Sequence, residues 1–183
     1  MLKALKICGL IFTLFGLLIF STYYFRHSSN REIYRKAQNN ISEKEKLYLE
    51  LYEYLKSSIN DSFSNCGFTY RSGWKYLSFS LVNKNKEKNL YKDIPLFVPE
   101  ISHSLNASYN SDSTKYMKVS LEWSNYKLDR TKLIYSPNLS VAISYLKKRG
   151  YKYYDSVEDN MDYENCIIKI NEHWLLSFYK YKW

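Results

Sequence analysis

The 183-residue sequence predicts an α+β protein: a single amino-terminal transmembrane helix, followed by a small domain with a mostly antiparallel sheet and two main helices. Three observations predict it. Ile7–Phe25, ICGLIFTLFGLLIFSTYYF, runs without a charge. Two later stretches place apolar residues at helical spacing between capping residues, and most of the other patterned stretches alternate apolar and polar residues with the period of a strand.

The nineteen residues of Ile7–Phe25, at about 1.5 Å each, reach roughly 28 Å as a helix, the thickness of a bilayer's hydrocarbon core. The stretch is apolar on every side up to Ser21, whereas a helix on a small soluble core keeps a polar face. Lys3 and Lys6 form a short basic lead, but Ile19 stands where a signal peptidase needs a small residue for cutting after Ser21. Thr22, Tyr23, Tyr24 and Phe25 suit the headgroup level, and Arg26 follows. The expectation is an uncleaved anchor over 7–25, with a basic tail at 1–6, a polar connector at 26–41 and one globular domain at 42–183. Cys8 precedes the apolar run instead of following it, which is the wrong order for a lipoprotein cysteine.

Two features bear on orientation and disagree. Arg26, Arg31, Arg35 and Lys36 after the span outnumber Lys3 and Lys6 before it, which favours a cytoplasmic domain. Cys66 and Cys166, each in an Asn-Cys pair beside a predicted strand, suit one disulfide in an oxidising compartment. Long domains translocate largely regardless of charge, so the expectation is an inner-membrane protein with its domain on the periplasmic side. A bridge closing about 100 residues would contribute up to roughly 4.7 kcal/mol in the loop-entropy picture.

Within the domain, Ser42 and Glu45 have the spacing of a capping box, and Tyr48, Tyr52, Leu55 and Ile59 recur on one face opposite Glu43, Lys46, Glu50 and Glu53. A helix is expected from Ser42. The pattern then changes: GFTY, RSG and WKYLSFSLV read as a hairpin with Leu77, Phe79 and Leu81 on one face. YMKVSLEW repeats the alternation through Met117, Val119, Leu121 and Trp123, and TKLIY returns beside it. In SPNLSVAISYLKKRG, Ser136 is the expected N-cap, Pro137 the first helical residue and Gly150 the stop, with Leu139, Ala142, Ile143 and Leu146 as the apolar row. YKYYDSV resumes as a strand, and ENCIIKI with HWLLSFYKYK closes the chain as a hairpin through Asn171 and Glu172.

Residues 83–115 are expected to form a long loop. Its first part, NKNKEKN, reads as a solvated charged run. Its second part sets Leu96, Phe97 and Val98 between Pro95 and Pro99, as a lid on the core or a partner-binding edge. Lys84, Lys86, Lys88, Leu96, Phe97 and Val98 are therefore the candidate partner-binding residues.

Outside the anchor the only glycines are Gly67, Gly73 and Gly150, so neither a G-x-G-x-x-G turn nor a P-loop can be written. His27, His103 and His173 are scattered, with no H-E-x-x-H or C-x-x-C, and no metal or other cofactor is indicated. No G-x-S-x-G elbow marks a nucleophile. Four N-x-S sequons begin at Asn40, Asn60, Asn106 and Asn138, as a chain rich in Asn and Ser produces by chance. Twenty tyrosines and four tryptophans point to a core and rim built from rings.

Of the 27 Lys and Arg, Lys3 and Lys6 precede the span; the remaining 25 stand against 18 Asp and Glu, a net +7 that suits an anionic membrane surface or an acidic protein. The basic-aromatic runs imitate a single-strand nucleic-acid platform, but an exported domain excludes that partner. The sequence favours a non-enzymatic, membrane-anchored envelope protein that binds another envelope protein, as an immunity-type factor or an accessory subunit of a membrane complex. Its alternatives are a sensor subunit enclosing an apolar ligand and an enzyme whose site carries no recognisable motif.

Overall fold

A computed structural model describes residues 2–59, 63–83, 86–111, 114–121, 131–157, 161 and 163–178, except the side chains of 2–12, 20–29 and 121. The chain divides into two compact units, Met1–Lys36 and Ala37–Trp183.

Helix α1 (Leu2–Ser57) runs through the expected span, the expected connector and the first amphipathic helix. The connector is thus helical: residues 26–41 contain neither Gly nor Pro to stop the helix, so the basic stretch does not break it. The interruption comes later, at Lys44, whose φ of −125° and ψ of 16° leave the helical region. In the amino-terminal unit Lys36 and Glu32 form an i,i+4 ion pair at 2.7 Å. Among the described residues no helix is long and apolar enough to cross a membrane. Ile7–Phe12 and Phe20–Phe25 of the expected span lie outside the described side chains. Between them Leu14, Phe15, Leu17, Leu18 and Ile19 are each exposed by 54% or more.

The second unit is α+β with a mostly antiparallel sheet. Its strands are β1 (Asn65–Arg71), β2 (Tyr76–Asn83), β3 (Lys86–Asp93), β4 (Ser104–Asn110), β5 (Tyr116–Leu121), β6 (Thr131–Tyr135), β7 (Lys152–Tyr154), β8 (Cys166–Lys169) and β9 (Trp174–Phe178). They form one nine-stranded sheet in the order β3-β2-β1-β4-β5-β6-β9-β8-β7. Every described pairing is antiparallel except β7 with β8. Two short helices, α2 (Phe97–Ile101) and α3 (Leu139–Lys148), complete the unit.

The period-2 pattern sends Cys66, Phe68, Leu77, Phe79, Tyr109, Met117, Val119, Tyr135, Trp174 and Leu176 to one face, and all are buried. The second rod of α1 lies on this inner face. Its Tyr48, Leu51, Tyr52 and Leu55 are buried at helical spacing, each contributing roughly 2 kcal/mol relative to exposure. Rings make much of the contact: Tyr48 on Trp174 at 5.2 Å, Tyr52 on Tyr109 at 5.4 Å and on Tyr135 at 4.8 Å, all edge-on. Edge-to-face rings of this kind add to plain area burial. At the interruption the Lys44 ammonium donates to the carbonyls of Glu100 and Ile101, at 2.9 and 2.8 Å. These carbonyls end α2, where a cation offsets the negative pole of the helix.

Helix α3 covers part of the other face. Its N-cap is Asn138, whose side chain accepts from the Val141 N–H at 3.3 Å, two residues beyond the expected Ser136. The Ser136 hydroxyl serves the turn instead, donating to the Asn138 carbonyl at 3.0 Å. Gly150 has a φ of +88° and ends the helix as expected. The Gly150 N–H bonds to the Lys147 carbonyl at 2.9 Å and the Tyr151 N–H to the Leu146 carbonyl at 3.1 Å, the Schellman pattern. Leu139 and Leu146 pack with Tyr116, Ile134, Ile167 and Leu175.

Two expectations are overturned. Residues 83–115 are not a loop: they supply edge strand β3, helix α2 and β4, a central strand between β1 and β5. Cys66 and Cys166 do not form a disulfide; both are free and buried. They lie on β1 and β8, five strand steps apart. At about 4.8 Å per step that is roughly 24 Å, far beyond the reach of a bridge. The Cys66 thiol instead donates to the Leu55 carbonyl at 3.2 Å, tying α1 to β1.

Candidate functional site

The outer face of the sheet has two characters. Over β6, β9 and β8 it is apolar and α3 covers it. Across the middle of β3, β2, β1, β4 and β5 most of the residues alternating with the core are Ser, Thr, Asn, Gly and Lys, with Tyr76 and Tyr91 towards one corner. Register sets them in rows. Asn89, Ser80, Gly67, Ser108 and Lys118 are successive partners across five strands. Two residues along each strand, Tyr91, Ser78, Thr69, Asn106 and Ser120 form a second row. The residues of both rows except Tyr91 line a cavity of about 330 Å³, with Glu87 on β3 and Lys132 on β6 at its ends.

Gly67 occupies the middle of the floor. A Cβ there would come within 3.0 Å of the Ala107 carbonyl oxygen and 3.3 Å of the Ser108 Cβ, so the floor stays open only with glycine. A glycine inside a strand often marks such a close approach of ligand or backbone.

The charges are unevenly spread. At one end the Glu87 carboxylate accepts from the Asn89 amide at 3.4 Å. At the other, Lys118 has no ion-pair partner among the described residues, and its ammonium stands 5.1 Å from the centre of the Tyr116 ring. Burial, then the neighbouring Lys132 and Arg149, push its pKa down to about 8. Arg149 follows α3 and stacks on Tyr145 at 4.7 Å, whose ring lies 5.8 Å from Tyr116. A positive end therefore forms where α3 stops covering the sheet.

A second surface lies at one corner. Tyr76 pairs with Asp93 and Ser78 with Tyr91, so Tyr76 and Tyr91 are diagonal neighbours on the outer face. Trp74 precedes β2 with Arg71 6.0 Å from its ring, and Leu96 follows β3 by three residues. Trp74, Tyr76, Tyr91 and Leu96 are 43%, 51%, 82% and 90% exposed.

The structure separates the candidate partner-binding residues. Leu96 is exposed; Phe97 is half-buried with its ring 6.0 Å from Tyr54; Val98 is wholly buried and unavailable to a partner. Lys86 and Lys88 are exposed on β3, and Lys84 lies outside the described residues. Lys86 and Lys88 lie at the start of β3 and Leu96 beyond its end, at least five residues of strand apart, or roughly 17 Å at 3.4 Å per residue. His103, before β4, and His173, in the turn between β8 and β9, are exposed and neither lines the cavity. Sequence reasoning missed Lys118, Lys132 and the polar rows; the signal that could have found them was Gly67, alone in an otherwise regular strand pattern.

Compared with family models, with curated proteins and with solved structures, the chain has no match in any of the three.

Proposed function

We propose that the protein is a non-enzymatic binding module tethered to a membrane by its amino-terminal helix, whose α+β unit engages another protein of the same membrane as an immunity-type factor or accessory subunit. The observation that carries the reading is the corner formed by Trp74, Tyr76, Tyr91 and Leu96. Large apolar and aromatic side chains exposed together are costly in water and are the usual anchors of protein interfaces. The tether draws its support from Leu14–Ile19, apolar and exposed along a helix, which lipid would solvate better than water.

The partner meets side chains, not a strand edge. On the side of this corner the sheet ends in strand β3, and its Lys92 turns inward, the ammonium 4.0 Å from the Phe79 ring centre and 3.2 Å from the Ser58 hydroxyl oxygen. An inward charge at an edge opposes strand addition. The cavity's polar lining does not suit an apolar ligand, so the sensor reading gains nothing from it. With both thiols free, the periplasmic placement rests on the amino-terminal layout, a short basic lead before one apolar stretch.

Photo-crosslinking in the protein's own cells tests the reading. A benzoylphenylalanine at Tyr91 or Leu96 is expected to trap one discrete membrane-protein partner, whereas the same probe at Lys147 traps none. Loss of specific adducts at both corner positions, or recovery of the chain in the soluble fraction, would overturn it.

A further inference from the structure

The centre of the outer-face cavity carries no charge. Six outward positions on three neighbouring strands form it: Ser78 and Ser80 on β2, Gly67 and Thr69 on β1, Asn106 and Ser108 on β4. None is longer than Asn, in a chain with 27 Lys and Arg and 18 Asp and Glu. Longer side chains stand around them, Glu87 and Tyr91 on β3 and Lys118 on β5. The hollow of about 330 Å³ falls within the range of small-molecule sites, roughly 300–1,000 Å³. Its polar groups are unused: Ser80 donates to the Gly67 carbonyl at 3.5 Å, but the side chains of Thr69, Ser78, Asn106 and Ser108 form no hydrogen bond with any described residue. Hydroxyls and an amide both donate and accept, so the set suits a ligand that does the same at short intervals. On the rim, paired with Ser78, Tyr91 presents an 82% exposed ring. A sugar ring combines both halves of this chemistry, with hydroxyls at its edge and a C–H face that buries against an aromatic ring.

We propose that this face binds a neutral oligosaccharide laid across the strands, with its hydroxyls on Ser78, Thr69, Asn106 and Ser108 and one ring stacked on Tyr91. Ser78 and Asn106 are two strand steps apart, roughly 10 Å at 4.8 Å per step, and Tyr91 lies one step further, a length that takes more than one sugar ring. Gly67 keeps the middle of the floor clear, since a Cβ there would approach the Ala107 carbonyl oxygen to 3.0 Å. The hydrogen bonds replace ones to water and each contributes little net. Ring stacking adds apolar burial, and the binding is of millimolar strength. No ion pair takes part, and the site stands on its own geometry, independent of the protein-partner reading.

The test uses the full chain in micelles of a detergent without a sugar headgroup, titrated with maltotetraose, cellotetraose or chitotetraose and followed by saturation-transfer NMR on the sugar protons. At least one of the three is expected to bind saturably, and glucose about tenfold more weakly or not at all. Thr69→Val and Asn106→Leu, each shown to be folded by circular dichroism, should each weaken binding about fivefold, and Tyr91→Ser by a similar factor. Lys148→Met, exposed on α3 and outside the cavity, should leave it unchanged. The proposal fails if none of the three saturates at millimolar concentration, if glucose binds as well as they do, if only the charged tetragalacturonate binds, or if Thr69→Val and Asn106→Leu bind like the parent. The Leu96 crosslink uses no residue of this site, so failure here leaves the protein-partner reading standing, and loss of that crosslink leaves the oligosaccharide site standing.

Discussion

Lys118 shows how little a residue's identity says about its state. In YMKVSLEW it reads as the polar half of an alternating strand, and it does alternate with buried Met117 and Val119. Yet its surroundings lower its pKa to about 8, by burial first and then by Lys132 and Arg149. An unfolded lysine titrates near 10.4, so between about pH 8 and 10.4 the unfolded chain binds more protons than the folded one. Through that window this group makes the folded state more stable as pH rises. Cys66 and Tyr116, both pushed up to about 12 by burial, act in the opposite sense: the stability they contribute is present below their unfolded pKa values and lost above them. Lys118→Met isolates the lysine's part. Its stability advantage over the parent, from urea melts, should shrink by roughly 2 kcal/mol between pH 7 and pH 10; an advantage independent of pH would refute the assignment.

Among the elements, the ones legible in sequence were those whose own residues carry both a period and an end. Helix α3 had Leu139, Ala142 and Leu146 in register and Gly150 to stop it. Only its start was misjudged, because Ser136 and Asn138 are both good caps and the choice between them depends on where the Pro137 turn sits. Gly150→Ala forces a Cβ into a left-handed conformation and should cost about 1 kcal/mol. Asn138→Ala, which removes the cap, should cost a similar amount, about 1 kcal/mol, in chemical denaturation. If Asn138→Ala is neutral and Ser136→Ala costly, the observed cap is wrong. Strand β4 was illegible for the converse reason. In SLNASYN the inward residues are Leu105, Ala107 and Tyr109 and the outward ones Asn and Ser, a weak contrast that sounds like a loop. β3 hid behind its lysines because an edge strand needs only one neighbour and tolerates charge.

For the whole molecule, strand order decides what sequence distance cannot. Two cysteines in similar settings looked like a pair, but β4, β5, β6 and β9 lie between their strands. In a Cys8→Ser background, neither thiol should react with a maleimide in the native protein, and both should react fully on denaturation without reductant. A requirement for reductant would restore the disulfide and refute the strand order. The candidate cavity is likewise a property of the whole, since its two lysines come from β5 and β6 and its remaining lining from β5 and four other strands.

The chain by itself determined the α+β class, the ring-built core, the rod from Lys46 to Leu55 with its apolar face, helix α3 and the hairpins β1–β2 and β8–β9. Each of these is written in residues a few positions apart, where backbone geometry alone converts spacing into a face. Only the tertiary structure decided that β4 is central, that the cysteines are far apart, that Lys118 is half-buried among cations and that, among the described residues, α3 covers only part of the outer face. Those outcomes depend on which strands become neighbours and where α3 ends, and a period of two records which side a residue takes without saying what lies across from it.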